Sequence, residues 1–421
     1  TLDTPMPGNA IIKAGDRLYS GGVGTIAAYD LQKPVAAWTS KIDGEAYSLL
    51  AADDRLFVVA REGKLLCFGA DEIPSPTAFA LEESGPQKSD DSDGWAEKAK
   101  TILEHPGASE GYAIIPNIGS GRLIDELLRQ SPLYLIAIDP DAKKVLAIRE
   151  RMVAAGLYGS RFSAFVGDPE SEKLPAYLCN LITSELPFDL QGNLANSLRP
   201  FGGIAISFSA NNEVHSVCRE GAPPNSDDWT HQYGTAAQTV VSKDGNVKAP
   251  FGVLWFGGPS HEGVLPRHGH GPSPQIAGGR LFIEGADMLR AVDVYTGRKL
   301  WEKSLPGIGE YYDTTLHFPG AGEIGSNYVS LPDTLYAVMG PKILALNTVD
   351  GEIEREFVTD SFWGHLSVEG DFLIATSAPV EVGKSEKDGK SGTKETGTIG
   401  TVTATVTATI TATVTATVTG T

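Results

Sequence analysis

Residues 291–301 read AVDVYTGRKLW, and they contain the pattern from which the architecture of this chain can be predicted. A short apolar strand ends at Asp293, a Thr-Gly turn follows, and a second strand ends at Trp301. The Asp293 carboxylate can accept hydrogen bonds from the turn backbone, and Gly297 can adopt the positive φ that closes a tight hairpin. The stretch therefore predicts two antiparallel strands joined by a short turn.

The same pattern recurs at both ends of the chain. Residues 28–38 end in Trp38, and residues 345–357 end in a phenylalanine. Repeated hairpin units of this kind are typical of β-propeller blades. We therefore predict blades at both ends, with Trp38 and Trp301 docked flat between adjacent blades.

Residues 291–301 resemble the tryptophan-docking repeat of the pyrroloquinoline-quinone-type β-propeller family, and the resemblance covers roughly residues 10–70 and 225–378. At about 40–45 residues per blade there is room for about five blades, so the ring is expected to be incomplete. Family members that bind the quinone typically have an Asp base, Glu and Asn calcium ligands, a Trp floor and often a vicinal Cys pair. The sequence has no Cys-Cys pair. Pyrroloquinoline quinone is therefore not an expected cofactor.

Between residues 84 and 210 the pattern changes to alternating strands and helices. Such alternation builds a doubly wound parallel sheet. The predicted fold class is therefore multidomain, with incomplete all-β propeller blades and an inserted α/β Rossmann-like domain. Strands are predicted at 112–116, 134–138, 162–166, 181–183 and 204–208, and helices at 122–130 and 142–155.

Four segments follow from these patterns: N-terminal blades at 1–83, the insert at 84–210, C-terminal blades at 211–380 and a low-complexity Thr-rich tail at 381–421. The blades at both ends are predicted to form one β-structure from which the insert emerges. From residue 401 threonine alternates with small apolar residues, which is strand patterning, but its T-V-T-A repeat is low complexity. We interpret the tail as a simple repeat, either detached or loosely paired at an edge.

The segment NIGSG, Asn117–Gly121, follows the first predicted strand of the insert and precedes a helix. Its glycines, Gly119 and Gly121, would let the backbone approach a ligand, and the helix offers free N–H groups. Asp139 closes the second strand, and an acid about 20 residues after such a turn can bind both ribose hydroxyls. This constellation predicts a nucleoside-binding site.

The insert resembles S-adenosylmethionine-dependent methyltransferases of the Rossmann type over about a hundred residues, including VGDP at 166–169. The resemblance implies that Gly119 and Gly121 line the methionine moiety. It also implies that Asp139 holds the ribose and that Asp168 lies near the adenine. S-adenosylmethionine is therefore the candidate cofactor.

Two departures from that family bear on activity. Pro116 and Asn117 stand where the family usually has an acid and a first glycine. The fourth strand ends in TSELP, residues 183–187, and not in the Asp/Asn-Pro-Pro-Tyr pattern used on amino groups. Glu185 is the candidate catalytic residue because it stands where a substrate-facing group is expected.

The loop PSHEGVLPRHGHGPSP contains His261, His268 and His270. Imidazoles can bind zinc or copper, but this spacing matches no established metal signature. We therefore predict no metal site and expect these three side chains not to converge at ligand distance.

The formal net charge of −19 argues against nucleic acid or anionic lipid as a partner. The sequence contains no apolar run of about 18 residues and no recognisable signal peptide. The sequence does not determine the cellular location of the protein. The resemblance of the blades to the propeller family implies an extracytoplasmic one. The partner is an unidentified protein or small molecule. Three hypotheses remain: a scaffold with a nucleoside-binding insert, an active methyltransferase of unknown acceptor, and a quinone-dependent oxidoreductase.

Overall fold

The computed structural model separates into two compact units, Thr1–Leu81 and Glu82–Thr421. How the N-terminal blades pack against the C-terminal ones stays a prediction, as do the domain boundaries. The residues described are 6–8, 10–33, 35–71, 73, 75–79, 85–86, 92–209, 211, 213–315, 317, 319–358, 361–379, 403–408 and 413–417.

The first unit is a five-stranded antiparallel sheet in which the strands follow one another in chain order. The long strand β3 (Ala36–Ala52) pairs with β2 (Arg17–Asp30) along its first part and with β4 (Arg55–Ala60) along its last part. Trp38 packs edge-on against Phe68, with ring centroids 5.4 Å apart. That Trp38 docks flat between adjacent blades stays a prediction. The strands are β1 (Ala10–Ala14), β2 (Arg17–Asp30), β3 (Ala36–Ala52), β4 (Arg55–Ala60) and β5 (Leu65–Phe68).

The insert contains every strand and helix predicted for it, with ends that agree within one residue. The agreement arises because apolar residues recur here with the periods of strand and helix in turn. The elements are α1 (Trp95–Leu103), β6 (Tyr112–Pro116), α2 (Arg122–Gln130), β7 (Tyr134–Asp139), α3 (Ala142–Ala154), β8 (Phe162–Val166), β9 (Leu181–Thr183), α4 (Gly192–Ser197), β10 (Gly203–Phe208) and β11 (Val214–Arg219).

The sheet of the insert has the strand order β11-β10-β9-β6-β7-β8. All neighbours are parallel except β11, which runs antiparallel to β10 and extends the sheet past residue 210. Apolar clusters cover both faces of the sheet. The chain reverses its direction of winding between β6 and β9. In open α/β sheets ligands bind outside the carboxyl ends of the strands at such a point.

The C-terminal blades are three four-stranded antiparallel sheets. Each is a meander of consecutive strands, as the repeat predicts. The first sheet is β12 (Gln275–Ala277), β13 (Arg280–Gly285), β14 (Met288–Asp293) and β15 (Lys299–Ser304), and a short helix, α5 (Ala321–Ile324), precedes the second. The second sheet is β16 (Tyr328–Ser330), β17 (Thr334–Met339), β18 (Lys342–Asn347) and β19 (Ile353–Val358). The third is β20 (Ser361–Glu369), β21 (Phe372–Pro379), β22 (Thr403–Ala408) and β23 (Thr413–Thr417).

The closing tryptophan of the first blade docks on the second, which confirms the prediction for Trp301. Its indole N–H donates to the carbonyl oxygen of Thr348 at 2.9 Å. A Cβ atom added to Gly351 would lie 2.7 Å from the indole ring, so only glycine leaves room for the ring at this turn. Burial of a large aromatic ring with its N–H satisfied stabilises the contact between blades.

Trp255 makes the same contact with the first blade. Its indole N–H donates to the carbonyl oxygen of Val294 at 2.8 Å, and a Cβ added to Gly297 would lie 2.3 Å from the ring. In both contacts the glycine follows the accepting residue by three positions. Trp255 therefore takes the place of the closing residue of a preceding blade. Sequence analysis missed it, although an Asp-Gly turn at Asp244 precedes it and Asp244 Oδ1 accepts the N–H groups of Asn246 and Val247.

Two segments of the Thr-rich tail are strands in the last sheet. β22 pairs antiparallel with β21, and β23 pairs with β22, so the tail lies at the edge of this sheet. A slip along the T-V-T-A repeat presents the same types of side chain again, so the sequence specifies this register only weakly.

Deleting the chain after Val382 is expected to change the free energy of unfolding by less than about 1 kcal/mol and to improve solubility. The reason is that buried Leu366, Leu373 and Ala375 of β20 and β21 pack against the preceding blade. Thermal unfolding of the full and truncated chains checks this. A control truncation after Val358 removes those buried residues and should lower the melting temperature strongly. Loss of the blade fold in the shorter deletion would make the tail an essential part of a blade.

Candidate functional site

The switch point of the insert sheet brings two loops together. The turn Asn117–Gly121 follows β6, and Glu185 follows the neighbouring strand β9. Asn117 has a φ of +69°, and Gly119 has a φ of +63°. A Cβ added to Gly119 would lie 2.5 Å from Oε2 of Glu185, so the missing side chain is what allows the carboxylate to approach the turn.

The Glu185 carboxylate binds the beginning of helix α2. Its Oε2 accepts a hydrogen bond from the backbone N–H of Ser120 at 2.6 Å, and its Oε1 accepts one from Leu123 at 2.9 Å. Free N–H groups at a helix N-terminus, together with the helix dipole, favour an anion at this position. Glu185 thus supplies the anion from within the protein, and the half-buried side chain caps the helix.

Asp139 is placed at the end of β7, but its side chain is only 3% exposed. Its Oδ2 accepts from the N–H of Ile118 at 2.9 Å, and its Oδ1 accepts from the N–H of Asp141 at 2.9 Å. Both carboxylate oxygens are engaged by the backbone. These two hydrogen bonds fix the turn after β6.

A cavity of about 370 Å³ opens at the carboxyl ends of the strands. Of the predicted site residues, Asn117 and Asp168 line it. The Asp168 side chain is exposed, and its Oδ1 accepts the N–H of Glu170 at 3.1 Å. The remaining described lining residues are Pro116, Pro140, Pro169, Glu170, Pro187, Phe188, Asp189 and Leu194.

The charged side chains among the described lining residues of this cavity are all acidic. Asp168, Glu170 and Asp189 contribute carboxylates, whereas none of the described lining residues is Lys or Arg. A wall of this kind disfavours phosphate and carboxylate groups and accepts hydrogen bonds from hydroxyl and amino groups. Sequence analysis missed Glu170, Phe188 and Asp189. Their positions directly after β8 and β9 were the available signal, because loops at the carboxyl ends of parallel strands converge.

The structure thus separates the predicted site residues. Asn117 and Asp168 lie together at the cavity, and Asp139 lies buried behind the turn. Gly121 begins helix α2, and a Cβ there would lie 2.6 Å from the guanidinium of Arg151. Gly119 contacts Glu185.

The insert is joined to the first C-terminal blade by a buried ion pair. Nε of Arg199 donates to Oδ2 of Asp293 at 2.7 Å, and the two side chains are 9% and 1% exposed. The other oxygen of Asp293 accepts the turn N–H groups of Tyr295 and Thr296, which confirms the turn role predicted for this aspartate. An exposed pair of Glu110 with Arg298 joins the same two regions.

The histidines form a different grouping from the one considered in the sequence. His317 lies between His268 and His270, with ring centroids 5.0 and 5.3 Å from theirs. Nδ1 of His317 lies 3.3 Å from Nε2 of His270, a hydrogen-bond distance. Within the described part of the chain, no group of three or more His, Cys, Asp or Glu side chains is arranged to hold a metal ion. That the protein uses no metal stays a prediction.

A second cavity, of about 510 Å³, lies in the C-terminal blades and is lined in part by Asn327 and His365. Behind Asn327 lies Glu284, which is 4% exposed. Oε1 of Glu284 accepts a hydrogen bond from the Asn327 side-chain amide at 2.9 Å, whereas Oε2 is buried without a partner. Burial raises the pKa of Glu284 to about 8. This carboxyl group is therefore largely protonated at neutral pH.

No helix among the described residues is long and apolar enough to cross a membrane.

No family model matches the sequence, and no curated protein matches it. Part of the chain is structurally similar to a protein assigned as an S-adenosylmethionine-dependent methyltransferase from Methanococcus maripaludis, with 20% identity over 28% of this chain and 56% of that chain and a TM-score of 0.25. Geranyl diphosphate methyltransferase in complex with S-adenosylmethionine matches 27% of this chain and 48% of its own chain, with 13% identity and a TM-score of 0.24. BamB from Moraxella catarrhalis matches over 99% of this chain and 77% of its own, with 10% identity and a TM-score of 0.23. The chain spans about half the length of the methyltransferases.

Proposed function

We propose that this chain is an interaction or scaffold protein built of propeller-type blades, whose inserted domain binds an adenine nucleoside of the class to which S-adenosylmethionine belongs. The proposal rests on one observation above all. The insert has a cavity at the switch point of a doubly wound sheet, lined by Asn117 and Asp168. We also propose an extracytoplasmic location, because the resemblance of the blades to a known propeller family implies one.

The position of Glu185 favours a scaffold over an enzyme. As the candidate catalytic residue, Glu185 would have to hold or accept a proton near a substrate. Its two oxygens instead accept backbone N–H groups at the start of helix α2. Both oxygens are thus held against the glycine turn and the helix, which gives Glu185 a structural role that needs no substrate.

A methyltransferase remains the second candidate, and the exposed carboxylate of Asp168 in the cavity wall is what supports it. Incubating the protein with S-adenosylmethionine and a panel of small amines, phenols and peptides would separate the two functions. Formation of S-adenosylhomocysteine above the background without acceptor would establish the enzyme. We expect none.

Nucleoside binding is tested by calorimetry of the full chain with S-adenosylmethionine, S-adenosylhomocysteine and 5′-methylthioadenosine. We expect micromolar binding of at least one of them, weakened at least tenfold, or by about 1.4 kcal/mol, in Asp168→Ala. The control is Glu150→Ala, which removes an exposed carboxylate from α3 outside the cavity wall. Absence of binding by all three ligands would contradict the proposed nucleoside site.

A further inference from the structure

The position where an anionic group of a ligand would bind to the insert is already filled by the protein. Backbone N–H groups at the start of a helix that follows a glycine turn attract phosphates and carboxylates. Here the N–H groups of Ser120 and Leu123 donate to Glu185 at 2.6 and 2.9 Å. A ligand carboxylate could reach them only by displacing Glu185, which would then lie beside a like charge.

The cavity next to this turn also disfavours an anionic ligand group, for a separate reason. It shares Asn117 with the turn, and Pro187 and Phe188 follow Glu185 closely along the chain. Its described wall carries three carboxylates, and none of its lining residues is Lys or Arg. The wall can accept hydrogen bonds from ribose hydroxyls and an adenine amino group, but it would repel an anion.

We infer that this pocket selects an adenine nucleoside that lacks an amino-acid carboxylate, and that Glu185 is the residue that excludes the carboxylate. The inference rests on the proposed nucleoside site and names the class of nucleoside it takes. Glu185 acts as a built-in substitute for the ligand's anionic end. S-adenosylhomocysteine, whose amino-acid end carries such a carboxylate, binds less well than 5′-methylthioadenosine, which lacks that end.

Two thioether nucleosides make a matched pair of probes. 5′-Methylthioadenosine and S-adenosylhomocysteine share adenine, ribose and the thioether sulfur, and they differ in the amino-acid end. In calorimetry with the full chain we expect 5′-methylthioadenosine to bind at least tenfold more tightly. Equal binding, or tighter binding of S-adenosylhomocysteine, would overturn the inference while leaving the nucleoside site standing. Failure of both to bind would contradict the site and the inference together.

Variants of Glu185 test its role directly. Glu185→Gln removes the charge and keeps one acceptor for the helix, whereas Glu185→Ala frees both N–H groups. We expect both to strengthen S-adenosylhomocysteine binding at least tenfold while changing 5′-methylthioadenosine binding less than threefold. The control is Glu150→Gln, an exposed carboxylate of α3 that is not among the lining residues of the cavity, which should leave both affinities unchanged. Thermal unfolding shows which variants keep the fold. An unchanged ratio of the two affinities in a folded Glu185 variant would refute the inference.

Discussion

Replacing Arg199 with methionine is expected to lower the free energy of unfolding by about 3–5 kcal/mol, the cost of leaving a buried charge without its partner. Asp293 is 1% exposed, and its Oδ2 receives the Arg199 Nε–H at 2.7 Å. The guanidinium also donates to the backbone carbonyls of Pro200 and Phe201. Methionine fills similar volume but supplies neither charge nor donors. Urea unfolding of the full chain, followed by circular dichroism, measures the effect.

The exposed pair between the same two regions provides the control. Nη2 of Arg298 lies 3.2 Å from Oε1 of Glu110, with side chains 27% and 56% exposed. Because solvent screens this pair, Arg298→Met should cost less than about 1 kcal/mol. The double variant Arg199→Met with Asp293→Asn should lose less than the sum of the single losses, since the two side chains form one interaction. Equal losses for Arg199→Met and Arg298→Met would show that the buried pair does not join the insert to the blade.

Replacing Glu284 with glutamine is expected to stabilise the protein at about pH 9 by on the order of 4 kcal/mol and to change little at about pH 5. Burial raises the pKa of Glu284 from its ordinary value of 4.5 to about 8. Between these values the folded state binds more protons at this group than the unfolded state. Raising the pH through this window therefore favours unfolding. Glutamine stays neutral and can still accept the Asn327 hydrogen bond.

Other buried titrating groups do not interfere with this measurement. Burial raises the pKa values of Tyr312 and Tyr328, the two phenols that interact electrostatically with Glu284, so both stay protonated over this range. Burial lowers the pKa of His231 to about 4, with the nearby His365 adding to the shift. The stability that neutral His231 contributes to the folded state is lost as the pH falls below about 6.5. This loss is the same in wild type and variant, so it cancels from the difference between their free energies of unfolding.

Free energies of unfolding from urea titrations, measured at one-unit intervals from about pH 5 to about pH 9, give the difference between wild type and variant. Glu352→Gln is the control, because Glu352 is 69% exposed and pairs with Lys303 at the surface. Its difference from wild type should stay within about 1 kcal/mol at every pH. A Glu284→Gln difference that does not grow with pH would mean that Glu284 is ionised in the folded protein at neutral pH.

Sequence reasoning determined the local parts of this protein well. The strands and helices of the insert follow from apolar periodicity, and the turn at Asp293 and Gly297 follows from a short motif. The glycine turn at Asn117–Gly121 was likewise visible, because its residues are neighbours along the chain. These features depend on interactions within a few residues, so spacing in the sequence is enough to specify them.

Only the tertiary structure decided what the candidate site residues do. Glu185 binds Ser120 across 65 positions, and Arg199 binds Asp293 across 94 positions. Asp139 has the predicted place, yet its burial gives both of its oxygens to the backbone. A carboxylate has the same appearance in a sequence whether it faces a cavity, caps a helix or pairs with an arginine. Its role is set by which distant groups the folded chain brings within about 3 Å, where hydrogen bonds form and burial strengthens every charge.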